Sequence, residues 1–155
     1  MLTPEEYLHV CDIALDGMTA IVTELGDDLA CTHPPLDGAN TPFAILTHCL
    51  GVMHAWAGHR VAGRPLQRDR DAEFRAQGPV ADLLAATEQA RAQLHADVHA
   101  CDPRAPLTAT TGHRLEAHIT TAGAALLHVL EELTQHHGQM QVTRDLLVQA
   151  PGRHR

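Results

Sequence analysis

The chain has 155 residues, is 45% hydrophobic and carries a formal net charge of −8, which are values typical of one globular domain with a sizeable core. Aromatic residues make up only 3% of it, and the acidic excess comes without a basic cluster, which argues against nucleic acid as a partner. The sequence shows neither an apolar stretch long enough to span a bilayer nor the pattern of a signal peptide, so we expect a cytoplasmic protein without a membrane partner.

Helical periodicity dominates the chain and is carried by four long segments. Three of these segments begin at a proline, which is favoured in the first turn of a helix because its missing N–H needs no partner there. The predicted helices run from Pro4 to Gly26, from Pro42 to Gly63, from Pro79 to Asp102 and from Thr120 to Val148. Four long amphipathic helices within one domain, residues 1–155, indicate an all-α four-helix bundle.

The segments between the helices are interpreted as connections. Asp27–Asn40 is rich in proline and glycine, which is typical of a loop. Gln67–Gly78 carries mixed charges, and we expect a solvated surface link there with at most one short helical turn. Arg104–His118 has no helical pattern and is compatible with either an extended segment or a loop.

The four cysteines predict free thiols rather than a disulfide framework or a zinc-binding motif. They are Cys11, Cys31, Cys49 and Cys101, with no CxxC pair and no spacing of a zinc knuckle or ribbon. Cys11 and Cys49 fall within apolar helical patterns, so we expect both to be small core residues.

The strongest chemical signal is a glutamate and a histidine four residues apart, Glu132 and His136, together with the isolated His48. Positions four apart lie on nearly the same side of a helix, and His48 faces inward beside the stripe formed by Ile45 and Val52. Two histidines and one carboxylate would leave a bound metal with open positions, as catalysis requires. From spacing alone, however, Glu132 and His136 are more often a surface pair and His48 a hydrogen-bonded core residue.

Two further histidines of the last helix bear on this hypothesis. His137 lies near the centre of the apolar stripe, which makes it an alternative ligand or a group that supports one. His128 is one turn before Glu132, and the drift of about 40° per four residues predicts that it points away from the core into solvent.

Four runs of sequence resemble the DinB-like metalloproteins, and in particular the branch related to mycothiol-dependent maleylpyruvate isomerase. They are NTPFAILTH at 40–48, WAGHRVAGRP at 56–65, RDRDAEF at 68–74 and LHVLEELTQHHG at 127–138. The resemblance extends from about residue 7 to residue 147. It is weakest over 103–118.

The resemblance implies a four-helix bundle of up-down-down-up order with a long crossover, and a divalent metal, zinc or nickel. By position, the metal ligands would be His48, Glu132 and His136. The implied activity is that of an S-transferase or thiol-assisted isomerase, with a low-molecular-weight thiol such as mycothiol as co-substrate and a small electrophile as substrate. The resemblance also implies a homodimer. Gln139 stands where many relatives have a second histidine, so that residue's role does not transfer.

Alternatives to a thiol-dependent enzyme follow from the same residues. A metal-dependent hydrolase would use the same three ligands, and a non-catalytic metal-binding or stress-associated bundle would use them structurally or not at all. Substrate carboxylates would be bound in the enzymatic cases by arginines, for which Arg60, Arg64 and Arg144 are the candidates.

Overall fold

The computed structural model describes residues 3–110 and 117–149, and five α-helices and one π-helical segment account for most of them. The helices are α1 (Pro4–Ala30), α2 (Pro42–Met53), α3 (Arg70–Glu73), α4 (Val80–Ala100) and α5 (Ala122–Gln149). The π-helical segment His54–Val61 continues α2 directly. Within the described ranges the only β-type pairing is an isolated bridge between Pro106 and Thr121. The all-α prediction is therefore confirmed.

The helix starts follow from capping residues in the sequence. The Thr3 side chain accepts a hydrogen bond from the Glu6 N–H at 3.2 Å, and the Glu6 carboxylate accepts one from the Thr3 N–H at 2.7 Å. This capping box satisfies two backbone donors that a helix start leaves unpaired. Thr41 caps α2 through a single hydrogen bond, which its side chain accepts from the Ala44 N–H at 3.1 Å.

Helices α1 and α5 lie side by side and run in the same direction. Near their first turns the Tyr7 hydroxyl donates to the Leu126 carbonyl at 2.7 Å. Near their last turns Arg144 pairs with Glu24 at 2.9 Å. Because early residues meet early residues and late meet late, the two helices are parallel.

Helix α4 packs along α1, and ion pairs connect the two helices. Arg91, in the middle of α4, binds Asp16 at 2.6 Å, and His99, at its end, lies 3.6 Å from Glu5 at the start of α1. Residue numbers rise along one helix as they fall along the other, so the pair is antiparallel.

Helix α2 and the π-helical segment run against α5 and complete the bundle. His48 in α2 faces Glu132, whereas Trp56, later in that unit, contacts His128, earlier in α5. The directions of the four long helices are thus up, down, down and up, as expected. Because α2 and α4 are parallel, the chain must return along the bundle between them, and residues 62–79 with α3 make that crossover.

The core follows the predicted apolar stripes. Cys11 and Cys49 are both fully buried, as expected, and the Cys49 thiol lies 3.9 Å from the sulfur of Met18. The largest fully buried side chains come from α1, α2, α4 and α5 and include Leu15, Met18, Ile45, Leu46, Leu94, Leu133 and Met140. None of the helices in the described residues is long and apolar enough to cross a membrane.

Two features of the helices were not predicted. Gly26 does not end α1: it takes a φ of 65°, which glycine tolerates, and the helix resumes beyond this kink as far as Ala30. The second helix changes to π-type hydrogen bonding at His54, and the Ala62 N–H donates to the Ala57 carbonyl, five residues back, at 3.0 Å. Such segments are rare and occur frequently at functional sites.

Candidate metal centre

The structure brings together the three residues that the resemblance implied as metal ligands, His48, Glu132 and His136. The Glu132 Oε2 atom lies 3.5 Å from His48 Nε2 and 3.2 Å from His136 Nε2. One donor atom from each residue lies within 4.8 Å of the other two. His48 is buried in α2, and the other two are half-buried on the face of α5 that packs against it.

The far side of the His48 ring is held by the crossover. Its Nδ1 atom lies 2.8 Å from Glu73 Oε2, and Glu73 is bound by both Nε and Nη2 of Arg68 at 2.6 and 2.9 Å. The ring of Phe74 stacks on the same imidazole, with ring centres 4.6 Å apart. Carboxylate and aromatic ring together restrict how the imidazole can rotate.

His136 has a matching partner on its own helix. Its Nδ1 atom lies 2.8 Å from the amide oxygen of Gln139, one turn later. An amide oxygen only accepts hydrogen bonds, so Nδ1 donates to Gln139, and Nε2 is the ring atom that faces Glu132. Gln139 therefore orients this histidine.

In the metal-free cluster, hydrogen bonds stabilise the charged forms of Glu132 and His136. Hydrogen bonds from His136 and His48 hold the pKa of Glu132 far below its usual value, despite partial burial. The hydrogen bond to Glu132 in turn raises the pKa of His136, although burial opposes it. Glu132 thus stays ionised over the whole physiological pH range and provides a permanent negative charge between two imidazoles.

The donor set fits a divalent metal ion. Two imidazole nitrogens and one carboxylate are the ligands that such ions accept from proteins, and three protein ligands leave positions open for substrate. The partners of both Nδ1 atoms are those that ligand histidines need, because they direct Nε2 toward the ion. His48, Glu132 and His136 therefore could hold a metal ion.

The alternative ligand His137 lies on a different side of α5 from this cluster. Its ring packs against Gly17 of α1 so closely that an added Cβ at that glycine would overlap it. Since α1 and α2 contact different faces of α5, His137 is directed away from His48. It is half-buried in a helix contact between α1 and α5.

The predicted exposure of His128 was wrong. The side chain is buried against Trp56, with ring centres 4.7 Å apart, and its Nδ1 atom lies 3.0 Å from Glu131. The angular estimate placed His128 outside the stripe of α5, but Trp56 in the π-helical segment covers that flank. Its Nε2 atom lies 3.5 Å from the second oxygen of Glu132.

The three predicted substrate arginines make other contacts. Arg60 is buried, lies 4.0 Å over the ring of Trp56 and donates to the Ala55 carbonyl at 3.1 Å. Arg64 binds the buried carboxylate of Asp97 through two hydrogen bonds of 2.5 and 2.6 Å. Arg144 pairs with Glu24 and Asp145 on the surface, at 2.9 and 2.7 Å.

Sequence reasoning missed the contribution of the crossover: a solvated surface link with at most one short helical turn was expected, and that turn is present as α3, but Glu73 within it is buried. Its side chain is buried at the site because Asp69 caps the short helix α3 through a 2.9 Å hydrogen bond from the Ala72 N–H. That turn directs Glu73 and Phe74 toward His48. The available signal was Asp69 as a capping residue before RDAEF, a pattern that predicts the start of a short helix and so fixes the directions of the side chains that follow.

The sequence profile of the DinB superfamily matches residues 12–140, which include all three residues of the cluster and the whole crossover. No curated protein matches the chain. The match covers most of the sequence and agrees with the all-α bundle. The chain therefore belongs to the DinB superfamily.

Proposed function

We propose that the protein is a metalloenzyme that binds zinc or nickel through His48, Glu132 and His136 and uses a low-molecular-weight thiol such as mycothiol. Its substrate is a small electrophile, which undergoes either S-transfer or thiol-assisted isomerisation. The observation that carries the proposal is the convergence of two imidazole nitrogens on one carboxylate oxygen, with both Nδ1 atoms held by acceptors. The choice of thiol chemistry is supported by the resemblance of the sequence to the mycothiol-dependent branch.

A divalent metal bound there would favour the thiolate form of a co-substrate thiol near neutral pH. The protein's own part is to hold the site in place. Glu132 supplies a negative charge between the two imidazoles, and the Glu73 and Gln139 contacts keep both Nε2 atoms directed at it. Phe74 stacks on one face of His48.

The nucleophilic thiol of this scheme comes from outside the protein. Burial raises the pKa of Cys49, the cysteine next to His48, and the nearby charges of Glu132 and Glu73 raise it further. Burial also raises the pKa of Cys11 to about 11. The raised pKa disfavours the thiolate of Cys49, the cysteine next to the metal ligand His48, which supports a co-substrate thiol as the nucleophile.

Titration with Ellman's reagent tests this view of the cysteines. In the native protein we expect Cys31 and Cys101, which are half-buried, to react, whereas Cys11 and Cys49 react only after unfolding in guanidinium. With a pKa of about 11, the thiolate fraction of Cys11 at neutral pH is about a hundredfold lower than that of an exposed cysteine. Rapid reaction of four thiols in the native state would contradict both the burial and the proposal of an external nucleophile.

One arginine near the cluster supports an anionic substrate. Arg70 is exposed, its guanidinium lies 5.1 Å from the ring of Phe74, and its positive charge acts on His136. No salt bridge of Arg70 is found among the described residues. A small electrophile or a thiol with a carboxylate would find a cation at this edge of the site.

The proposal is tested by turnover with and without thiol. Zinc- or nickel-loaded protein is incubated with chlorodinitrobenzene, for S-transfer, or with maleate, for isomerisation, in the presence of mycothiol, of cysteine or of no thiol. We expect turnover only with thiol, and loss of turnover in His136→Ala. Turnover of ester or amide substrates without thiol would favour the hydrolase instead. Stoichiometric metal binding without either activity would favour a non-catalytic metal-binding protein.

A further inference from the structure

We infer that Glu73 is a positioning residue for the metal ligand His48, and that the crossover is therefore a working part of the metal centre. The inference rests on the proposed metal site. It assigns to a residue of the helix connection, 25 positions from His48 in sequence, the task of holding the ligand ring in the orientation that binds an ion.

The first argument is the direction of the hydrogen bond. Glu73 Oε2 lies 2.8 Å from His48 Nδ1, well within hydrogen-bond distance, and a carboxylate can only accept. Nδ1 therefore donates its proton to Glu73, and Nε2, on the opposite edge of the ring, is directed toward Glu132 at 3.5 Å. Without Glu73, nothing would hold the proton on Nδ1 or fix the orientation of the ring, and a metal ligand needs both so that Nε2 is the atom that binds the ion.

The second argument is the energetic cost of the arrangement. Glu73 is about 9% exposed, and a buried carboxylate is unfavourable unless it is paired and hydrogen-bonded. Arg68 provides that pairing with two hydrogen bonds, and its Nη2 atom also lies 3.5 Å from His48 Nδ1. A structural link between α2 and the crossover could be made by apolar side chains at lower cost, whereas an ionised acceptor raises the basicity of the imidazole as a ligand.

The third argument is the space that α2 provides for this carboxylate. Gly51 lies on α2 almost one turn after His48, and an added Cβ there would overlap Glu73 Oε1. The lack of a side chain at position 51 thus allows the carboxylate to reach the ring. Phe74, the next residue, stacks on the same ring, so two consecutive residues of the crossover hold His48.

The two ligand histidines differ in their supporting group, which defines the test. His136 is held by the neutral amide of Gln139, and His48 by the ionised Glu73. Loss of a supporting partner of this kind typically lowers metal affinity about 10–100-fold. We expect Glu73→Gln, which keeps an acceptor but loses the charge, to lower zinc affinity about tenfold, and Glu73→Met, which loses both, to lower it about a hundredfold.

Zinc affinity is measured by competition with a chromophoric chelator, and Asp97→Leu serves as the matched control. Asp97 is also a buried carboxylate bound by an arginine through two hydrogen bonds, but it lies on α4 beside Arg64. We expect Asp97→Leu to lower thermal stability without changing zinc affinity. Equal losses of affinity in Glu73→Met and Asp97→Leu would show a general structural effect and would overturn the inference.

The tautomer of His48 in the metal-free protein is the second readout. ¹⁵N NMR spectra of the histidine side chains at mildly alkaline pH should show the proton of His48 on Nδ1 in the wild type and in Glu73→Gln, and its loss from Nδ1 in Glu73→Met. Wild-type zinc affinity in Glu73→Met, or an Nδ1 proton retained there, would overturn the inference. A wild-type protein that has this tautomer but binds neither zinc nor nickel would instead overturn the proposed metal site.

Discussion

Glu132→Gln and His136→Ala are each expected to abolish zinc binding, because each removes one of three donors that lie within 4.8 Å of one another. Wild-type protein should bind about one zinc per chain, as determined by mass spectrometry of the dialysed protein. Zinc at about a hundred times its Kd should stabilise the wild type by about 2.7 kcal/mol, and this stabilisation should disappear in both variants. A change of carboxylate to amide keeps the size of Glu132, so the effect on binding is separable from one on folding.

The control for these variants is His137→Ala, which alters the neighbouring histidine on α5. His137 packs on Gly17 of α1 and lies outside the cluster, so we expect full zinc content and an unchanged zinc-dependent stabilisation. The variant should be less stable by about 1–3 kcal/mol without metal, because it leaves a cavity beside Gly17. Zinc lost from His137→Ala and retained in His136→Ala would show that the ligand is His137.

Gly51→Ala is expected to disrupt the support of His48 without altering any ligand. The added Cβ would overlap the Glu73 carboxylate, which must then move and give up hydrogen bonds to His48 and Arg68. We expect zinc affinity to fall about tenfold or more, and the free energy of unfolding to fall by about 1–3 kcal/mol. Chelator competition and thermal unfolding measure the two effects.

Gly138→Ala is the matched control, since this glycine is also inside a helix and close to a proposed ligand. No atom lies within 4 Å of an added Cβ at position 138. Alanine is favoured over glycine in helices, so this variant should gain about 0.5–1 kcal/mol and keep its zinc affinity. If Gly51→Ala behaves like Gly138→Ala, the Glu73 carboxylate has room to move and its contact with His48 is not required.

The proposed site depends on contacts between residues that are separated by very different distances in sequence. Glu132, His136 and Gln139 lie within two turns of α5 and are brought together by helix geometry alone. His48 joins them through packing of α2 on α5, and Glu73 and Arg68 join through the crossover. Only the first group can be placed by local periodicity.

The sequence by itself determined the helices, because their signals are local. Thr3 with Pro4 and Thr41 with Pro42 mark helix starts, and the apolar stripes predicted the buried Cys11. The helix order and the cluster of His48 with α5 were expected only from the resemblance to a family. Periodicity alone favoured a surface pair for Glu132 and His136, since it contains no information on which helix covers which flank.

The tertiary structure alone decided which side of α5 meets α2. His136 and His137 are adjacent and about 100° apart around the helix, so a small rotation of α5 would exchange them. In the packed bundle His137 lies against Gly17 of α1, and His136 lies with Glu132 and His48. Likewise His128 is buried because Trp56 covers it, and Glu73 reaches His48 because Gly51 leaves room. These are contacts between residues distant in sequence, and they depend on the relative placement of whole helices, which no local pattern specifies.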